Sequence, residues 1–222
     1  MPAYTAVLSG QTTTNSSTGN NLGTLSVVSG RSYWVAIHTD GVLNTDQQVP
    51  TAVSHPAGSF TKLAQAVYTD SYCTLSIWKL DATTTASGAL TTTQTLNQDA
   101  VCWSVIELTG VTGWGVPVTA LTNGTDILDV SLPTAPAGTS MALAAFGWVS
   151  NGSSTAATAA VNGGAGWTQV HNPRQNDAAF SNALASHVAN PALQTASVVW
   201  TLGDNTVWQG GIIVEVLGAA AP

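Results

Sequence analysis

The sequence predicts an all-β fold, a β-sandwich or jelly roll built from two similar halves with very little helix. Short runs of strand-forming residues alternate with turn residues, roughly every 8 to 12 positions. No segment keeps apolar residues at helical spacing over several turns, and Thr, Val and Gly recur in nearly every window. The second half of the chain also repeats landmarks of the first half in the same order, at a period too long for a solenoid.

The first elements are a polar N-terminal segment and a run of short strands. Residues 1–23 are rich in Gly, Ser and Thr after the run "YTAVLSG", which predicts an extended arm or an edge strand followed by a loop. A first β half is predicted over residues 24–110. Its strands are expected at 24–28, 31–39, 50–54, 60–68, 72–80, 89–96 and 100–109.

A linker or crossover is predicted at 111–126, "VTGWGVPVTALTNGTD", because Gly, Pro and Asn-Gly interrupt regular structure there. The second β half follows over 127–222. Its strands are expected at 127–132, 139–148, 157–161, 166–171, 179–188, 194–202 and 206–217. The Ala-rich stretch 154–160 is compatible with a helical turn as well as with a strand.

The internal repeat is clearest in the last strand of each half. The run "VCWSVIELTG" returns as "GIIVEVLG", which aligns Glu107 with Glu215 and Gly110 with Gly218. "GSFTKL" around Phe60 returns as "GAGWTQV", and "RSYWVAIHTD" returns as "TSMALAAFGW". These landmarks predict two sheets or sandwich halves of similar architecture.

The charge content limits the classes of partner. Only 7% of the residues are charged and the net charge is -7, whereas soluble domains usually carry about 25% charged residues. The four basic residues are dispersed, at Arg31, Lys62, Lys79 and Arg174. A protein that tracks phosphates or anionic lipids needs clustered cations, so neither a nucleic acid nor a membrane is expected as a partner. A surface of low charge, rich in Thr, Ser, Asn and Gln, suits contact with other proteins.

The N-terminus lacks the basic and apolar regions of a signal peptide, and no segment has the roughly 18 apolar residues of a membrane span. We therefore expect synthesis in the cytoplasm without a signal peptide. The two cysteines, Cys73 and Cys102, fall in predicted strands. In a chain without an export signal, buried thiols are expected in preference to a disulfide.

No pattern for enzymatic chemistry stands out. The chain has no G-x-S-x-G nucleophile motif and no D-x-D-x-D-G calcium loop. No pair of histidines has metal-ligand spacing among His38, His55, His171 and His187. Glu107 and Glu215 form the one symmetric carboxylate pair, as a glycosidase would need, but each lies in a strand where pairing with a cation or outward exposure is expected. We expect no catalytic residue, no cofactor and no metal.

Eight tryptophans are a further conspicuous feature, at positions 34, 78, 103, 114, 148, 167, 200 and 208. Most lie in predicted strands with apolar neighbours, so they are expected to fill the space between sheets. Trp114 lies between two glycines in the predicted linker. It is the best candidate for an exposed ring that stacks on a sugar.

The order of these motifs is similar to that of a known module. The segments "YWVAIHTD", "GSFTKL", "LSIWKLDA" and "WSVIELTGV", followed by "MALAAFGW", "GWTQV" and a final "VEV", cover about residues 24–217. In this order they resemble a duplicated, jelly-roll-like β-sandwich module of tailed-phage virion proteins and bacterial surface proteins. The resemblance implies a structural role, and it brings no catalytic residues with it.

The resemblance and the absence of an export signal together favour a non-enzymatic structural protein of a tailed-bacteriophage virion. We expect a capsid decoration or cement protein, or a tail or fibre component, that forms a homo-oligomer and assembles with other virion proteins. The alternative hypothesis is a carbohydrate-binding adhesion module that recognises a glycan on the host surface through exposed aromatic side chains.

Overall fold

All regular structure in the described part of the chain is β-strand, in antiparallel sheets, so the predicted all-β fold is confirmed. The computed structural model describes residues 1–12, 19–41, 49–68, 73–94, 98–123, 127–150, 166–176, 181–189, 196–201 and 207–219. No helix long and apolar enough to cross a membrane occurs among these residues.

The described residues form 18 strands. In chain order they are β1 (Ala3–Gln11), β2 (Gly19–Val27), β3 (Ser32–Gly41), β4 (Pro50–His55), β5 (Gly58–Ser59), β6 (Thr61–Val67), β7 (Thr74–Asp81), β8 (Ala86–Gln94), β9 (Gln98–Thr109), β10 (Val111–Trp114), β11 (Val118–Asn123), β12 (Ile127–Ser131), β13 (Met141–Ser150), β14 (Trp167–His171), β15 (Arg174–Asn176), β16 (Ser181–Ala189), β17 (Ser197–Thr201) and β18 (Val207–Gly218). Most begin or end within one to three residues of their predicted limits.

Two sheets contain the strands of the first half. Sheet A has the order β1-β9-β3-β7-β6, and sheet B has the order β2-β8-β4-β5. Strand β1 is therefore an edge strand of sheet A, next to β9, with a bulge between Ala6 and Leu8. Strand β2 already belongs to sheet B, so the N-terminal 23 residues contribute to both sheets.

Two further sheets contain the second half. Sheet C has the order β10-β18-β13-β16-β14; β11 also pairs with β18, and β15 also pairs with β16. Sheet D consists of β12 and β17. Within the segment 111–126, predicted as a linker or crossover, the described residues 111–123 form the edge strands β10 and β11 of sheet C. The Val and Thr residues between the turn residues explain these strands, because branched side chains favour extended backbone.

The four sheets are stacked as layers in the order B, A, C, D. Sheets A and C face each other across a central core that includes Trp34, Ile106, Leu143 and Val214. The other face of sheet A packs on sheet B, and the other face of sheet C packs on sheet D. Both faces of the central strands are thus covered, which explains why "VCWSVIELTG" reads as an almost continuous apolar run.

The corresponding strands of sheets A and C are arranged in opposite order across the stack, so the first strand of one sheet lies over the last strand of the other. Strand β1 of sheet A contacts β14 and β15 of sheet C, whereas β6 at the other side of sheet A contacts β11 and β18. Strands β1 and β11 therefore lie on opposite lateral sides of the molecule.

The strand orders of sheets A and C correspond position by position, with β9, β3, β7 and β6 matched by β18, β13, β16 and β14. The registers correspond less simply. Trp34 pairs with Ile106 in sheet A, and Leu143 pairs with Val214 in sheet C. The pairing therefore makes Leu143 the counterpart of Trp34, whereas the alignment of "RSYWVAIHTD" with "TSMALAAFGW" puts Trp34 opposite Ala142, one residue earlier. A shift of one residue exchanges the two faces of a strand. The duplication itself stays a prediction, and the predicted strand at 157–161 and the Ala-rich stretch 154–160 lie outside the described residues.

Two consecutive glycines in β18 let aromatic rings approach sheet C from both sides. A Cβ on Gly210 would lie 2.6 Å from the Tyr68 Oη of the sheet A layer. A Cβ on Gly211 would lie 2.7 Å from both the Trp200 ring and a Val130 methyl of sheet D. Both distances are shorter than van der Waals contact, so glycine at these positions sets how closely the layers pack.

We predict that Gly211→Ala destabilises the protein by about 1–3 kcal/mol, because the added methyl overpacks the core between sheets C and D. Urea unfolding followed by tryptophan fluorescence measures the loss. Gly138→Ala is the matched control, since a Cβ at Gly138 meets nothing within 4 Å. Equal stability of the two variants would contradict the proposed packing constraint.

Candidate functional site

Most of the tryptophans are buried in the cores between the sheets. Five of them are buried: Trp34, Trp78, Trp103, Trp148 and Trp200. The other three, Trp114, Trp167 and Trp208, are half-buried. Phe146 stacks on the rings of Trp148 and Trp200, with centroids 5.1 and 4.9 Å away. All eight tryptophans are among the described residues, and none presents an exposed ring.

Trp114, the candidate glycan platform, is held by its neighbours. Its Nε1 donates a hydrogen bond to Asp81 Oδ1 at 3.1 Å, and the Lys79 ammonium lies 5.8 Å from its ring centroid. The ring also packs against the central core. Burial alone would raise the pKa of Asp81, but hydrogen bonds from Lys79, Ser32 and Trp114 outweigh it and lower that pKa. The cluster fixes the chain at the crossover between sheets A and C.

Glu107 and Glu215 do not come together. Glu107 forms an ion pair with Arg31 and accepts a hydrogen bond of 2.7 Å from Tyr33 Oη, on the side of sheet A that faces sheet B. Glu215 accepts a hydrogen bond of 3.2 Å from the Ala137 backbone N–H, on the opposite side of the stack. Because the two central sheets, roughly 10 Å apart, lie between them, the carboxylates are too far apart for glycosidase geometry. Burial first, and then the bond to Glu107, raise the pKa of Tyr33 to about 12.

Two histidines lie between sheets A and C. His38 is buried, and no described residue forms a hydrogen bond with either ring nitrogen. Its ring meets that of Tyr68 edge-on at 5.8 Å. Burial lowers the pKa of His38 from 6.5 to about 3. Burial also lowers the pKa of His171, whose Nδ1 lies 2.8 Å from Ser104 Oγ.

The other two histidines lie at the outer layers, His55 on sheet B and His187 beside sheet D. His55 contacts the Leu25 carbonyl oxygen through Nε2 at 2.9 Å and accepts a hydrogen bond from the Ala57 N–H. His187 accepts a hydrogen bond of 3.3 Å from Trp200 Nε1. Within the described part of the chain, no three His, Cys, Asp or Glu side chains gather as a metal site.

Ser104 and His171 form a serine-histidine pair that the sequence analysis did not find, because 67 positions separate them. Ser104 Oγ also lies 2.8 Å from Ser186 Oγ, so the group joins β9, β14 and β16. Both serines are fully buried between the sheets. A catalytic serine needs access to substrate, so this arrangement suits a polar link between sheets A and C.

Both cysteines are reduced and buried, in agreement with the expectation from sequence. Strand β3 separates β7 from β9, which puts Cys73 and Cys102 about two strand spacings apart, roughly 9–10 Å. A disulfide needs Cα atoms within about 7 Å. The Cys73 thiol instead donates a hydrogen bond to Asp40 Oδ1 at 3.1 Å.

The outer sides of β1 and β11, here named the two uncharged edges, are the surface features with the clearest capacity for binding. Each strand pairs with one neighbour among the described strands, β9 or β18. The segments "AYTAVLSGQ" and "VTALTN" carry no charged side chain. Such an edge presents backbone N–H and C=O groups that can pair with another strand. The large hydrophobic residues that are exposed in the described part of the chain are Met1, Tyr4, Val7, Val28, Val116, Leu121 and Ile127.

Comparison with known proteins yields only weak likenesses. Two solved structures are the major capsid protein P2 of bacteriophage PM2, with 10% identity over 100% of this chain and 98% of that one, and Cucumber Necrosis Virus, with 10% identity over 99% and 90%. The TM-score is 0.27 in both cases, so neither likeness carries an argument about function. No protein-family model matches the chain, and no curated protein matches it.

We predict that both thiols are unreactive in the folded protein, because reaction requires access to the sulfur. Ellman's reagent should modify neither cysteine in native buffer and both in guanidinium chloride. Rapid modification of the native protein at either position would contradict the burial of these side chains.

We predict that stability falls as the pH drops from about 6.5 towards 3, because the unfolded chain binds a proton at position 38 that the folded chain rejects. The contribution of His38 is roughly 1.4 kcal/mol per pH unit in this window. Urea unfolding at several pH values should give a shallower slope for His38→Phe, which keeps a ring at this position. His171 acts in the same direction in both proteins, so the difference isolates His38. Identical slopes would contradict the buried neutral imidazole.

Proposed function

We propose that this chain is a non-enzymatic structural protein on the surface of a tailed-bacteriophage virion, as a capsid decoration protein or a tail or fibre component. It acts by binding other virion proteins and further copies of itself. The observation that carries the proposal is the pair of uncharged sheet edges with exposed apolar side chains. These edges suit pairing with protein strands.

The wider surface supports contact with protein. The exposed side chains on the outer face of sheet B are uncharged: Asn21, Thr24, Ser26, Thr51, Ser87, Ala89 and Thr93. Burying such a face against a partner requires no desolvation of charge, which is the costly part of burying a polar surface. A low-charge face is therefore suited to stable assembly.

The basic residues support the absence of nucleic acid from the proposed partners. Arg31 is paired with Glu107 and Lys79 with Asp81. Lys62 donates a hydrogen bond to Gln65 and lies 4.9 Å from the ring centroid of Trp78. These three side chains do not form a cluster that could follow a phosphate backbone.

The tryptophan positions favour assembly over the alternative of glycan recognition. Sugar binding by stacking needs an exposed aromatic face, and the half-buried Trp114 has its indole N–H committed to Asp81. The same rings, in the cores, hold the layers of a rigid building block together.

Immunogold electron microscopy of particles purified from a lysate of the culture that encodes the chain tests the proposal. Antibodies against the purified chain should label the particle, and the label on head or tail distinguishes decoration from a tail or fibre role. Antibody absorbed with the purified chain is the control. Chain found only in the soluble fraction, with unlabelled particles, would refute a virion role.

A further inference from the structure

Most of the large apolar side chains that are exposed in the described part of the chain lie at the two uncharged edges. Of the seven exposed large hydrophobic residues, Met1, Tyr4 and Val7 lie on or next to β1. Val116 and Leu121 lie on or next to β11, whereas Val28 follows β2 and Ile127 lies on β12 of sheet D. Val116 is 84% exposed and Leu121 is 46% exposed. Scattered exposed apolar residues need no explanation, but five of these seven lie at two strand edges, which indicates interaction surfaces.

The usual protection of an edge strand is missing at these positions. Natural proteins guard exposed edges with charged side chains, bulges or very short strands. Lys62 lies on edge strand β6, Asp129 lies on β12, and β5 has two residues. The edge strands β2, β10 and β17 are also uncharged, but they carry none of the exposed large apolar side chains, whereas β1 carries Tyr4 and Val7 and β11 carries Leu121. Strand β1 has a bulge after Ala6, but the stretch from Ala3 to Ala6 is regular, and neither β1 nor β11 carries a charge.

The placement of the two edges favours one kind of partner, a second copy of this chain. Strands β1 and β11 lie on opposite lateral sides of the stack, so one copy can present β1 to the β11 of the next. A single type of contact then occupies both edges of every copy, and a head-to-tail contact of this kind builds a ring or a string. The chain has a net charge of -7, but charges beyond about 8 Å are screened at physiological salt.

We propose that copies of this chain join head to tail, with the outer edge of β1 pairing with the outer edge of β11, so that sheet A of one copy continues into sheet C of the next. The apolar side chains Tyr4, Val7 and Leu121 are buried in this contact. The inference rests on the proposed assembly function and names its interface. Because the contact is apolar between copies of like net charge, raising the salt concentration strengthens it.

Light scattering on the full chain tests the interface with three lysine variants. Thr5→Lys places a charge on the β1 edge, and Leu121→Lys places one on the β11 edge. Thr93→Lys is the matched control, because Thr93 is exposed on β8, between β2 and β4 within sheet B. The wild type and the control should give masses that are multiples of 22.6 kDa. Each edge variant should give the mass of one chain.

Mixing the two edge variants gives the most specific result. One intact β1 edge and one intact β11 edge remain in the mixture, so head-to-tail pairing predicts a dimer of one copy of each variant and nothing larger. Loss of association in Thr5→Lys with an unchanged Leu121→Lys would show pairing of β1 with β1, and would overturn the proposal. Dissociation of the Thr93→Lys control would overturn it as well.

Two further results keep the test decisive. Thermal unfolding confirms that each variant is folded, and Ser9→Lys and Val116→Lys replace an edge variant that is not, since both residues are exposed at the same edges. A wild type that is monomeric at high protein and salt concentrations would overturn the head-to-tail contact. That result would leave the virion role intact, because the immunogold labelling of particles tests that role independently.

Discussion

The structure depends on the burial of both faces of its two central sheets. A strand covered on both sides has few positions at which a charged side chain can reach water, and an unpaired buried charge is very costly. Strands such as β3, β9, β13 and β18 are therefore mostly apolar, and the carboxylate of Glu107 on β9 is paired with Arg31. This four-layer stack accounts for a chain in which only 7% of the residues are charged. Ser, Thr and Asn on the outer face of sheet B then provide contact with solvent.

Hydrophobic burial alone does not fix how two sheets are positioned, because it has no direction. A few polar groups between sheets A and C supply that direction. Tyr68 Oη donates to the Gly147 carbonyl oxygen at 2.8 Å, and Ser104 contacts Ser186 and His171. Each group is satisfied only in one relative placement of the sheets, and leaving such a group unsatisfied costs roughly 1–3 kcal/mol. We infer that these contacts select one arrangement from the many that would bury similar area.

The strands could be predicted from sequence because alternation and turn residues act locally. The order of the layers could not, because a continuous apolar run such as that around Val105 shows that both faces are buried but not what covers them. The Trp114 contact with Asp81 and the pairing of Ser104 with His171 were missed for a related reason. Each joins residues far apart in sequence, and chemistry of this kind has no local pattern. The pairing of Glu107 with a cation could be anticipated from sequence, because a buried carboxylate requires a partner. In the structure that partner is Arg31.

The N-terminus closes the stack at the ends of two distant strands. Pro2 is buried, and Met1 and Pro2 lie against both Gly110 and Gly218, the glycines that end the aligned motifs. Ala3 pairs with Thr109, so strand β1 is synthesised more than a hundred residues before the partner with which its contacts form. Pairing between such distant segments makes folding slow. The edge strand stays exposed throughout that interval, and a chain of this design therefore depends on the cell to keep nascent copies apart until synthesis is complete.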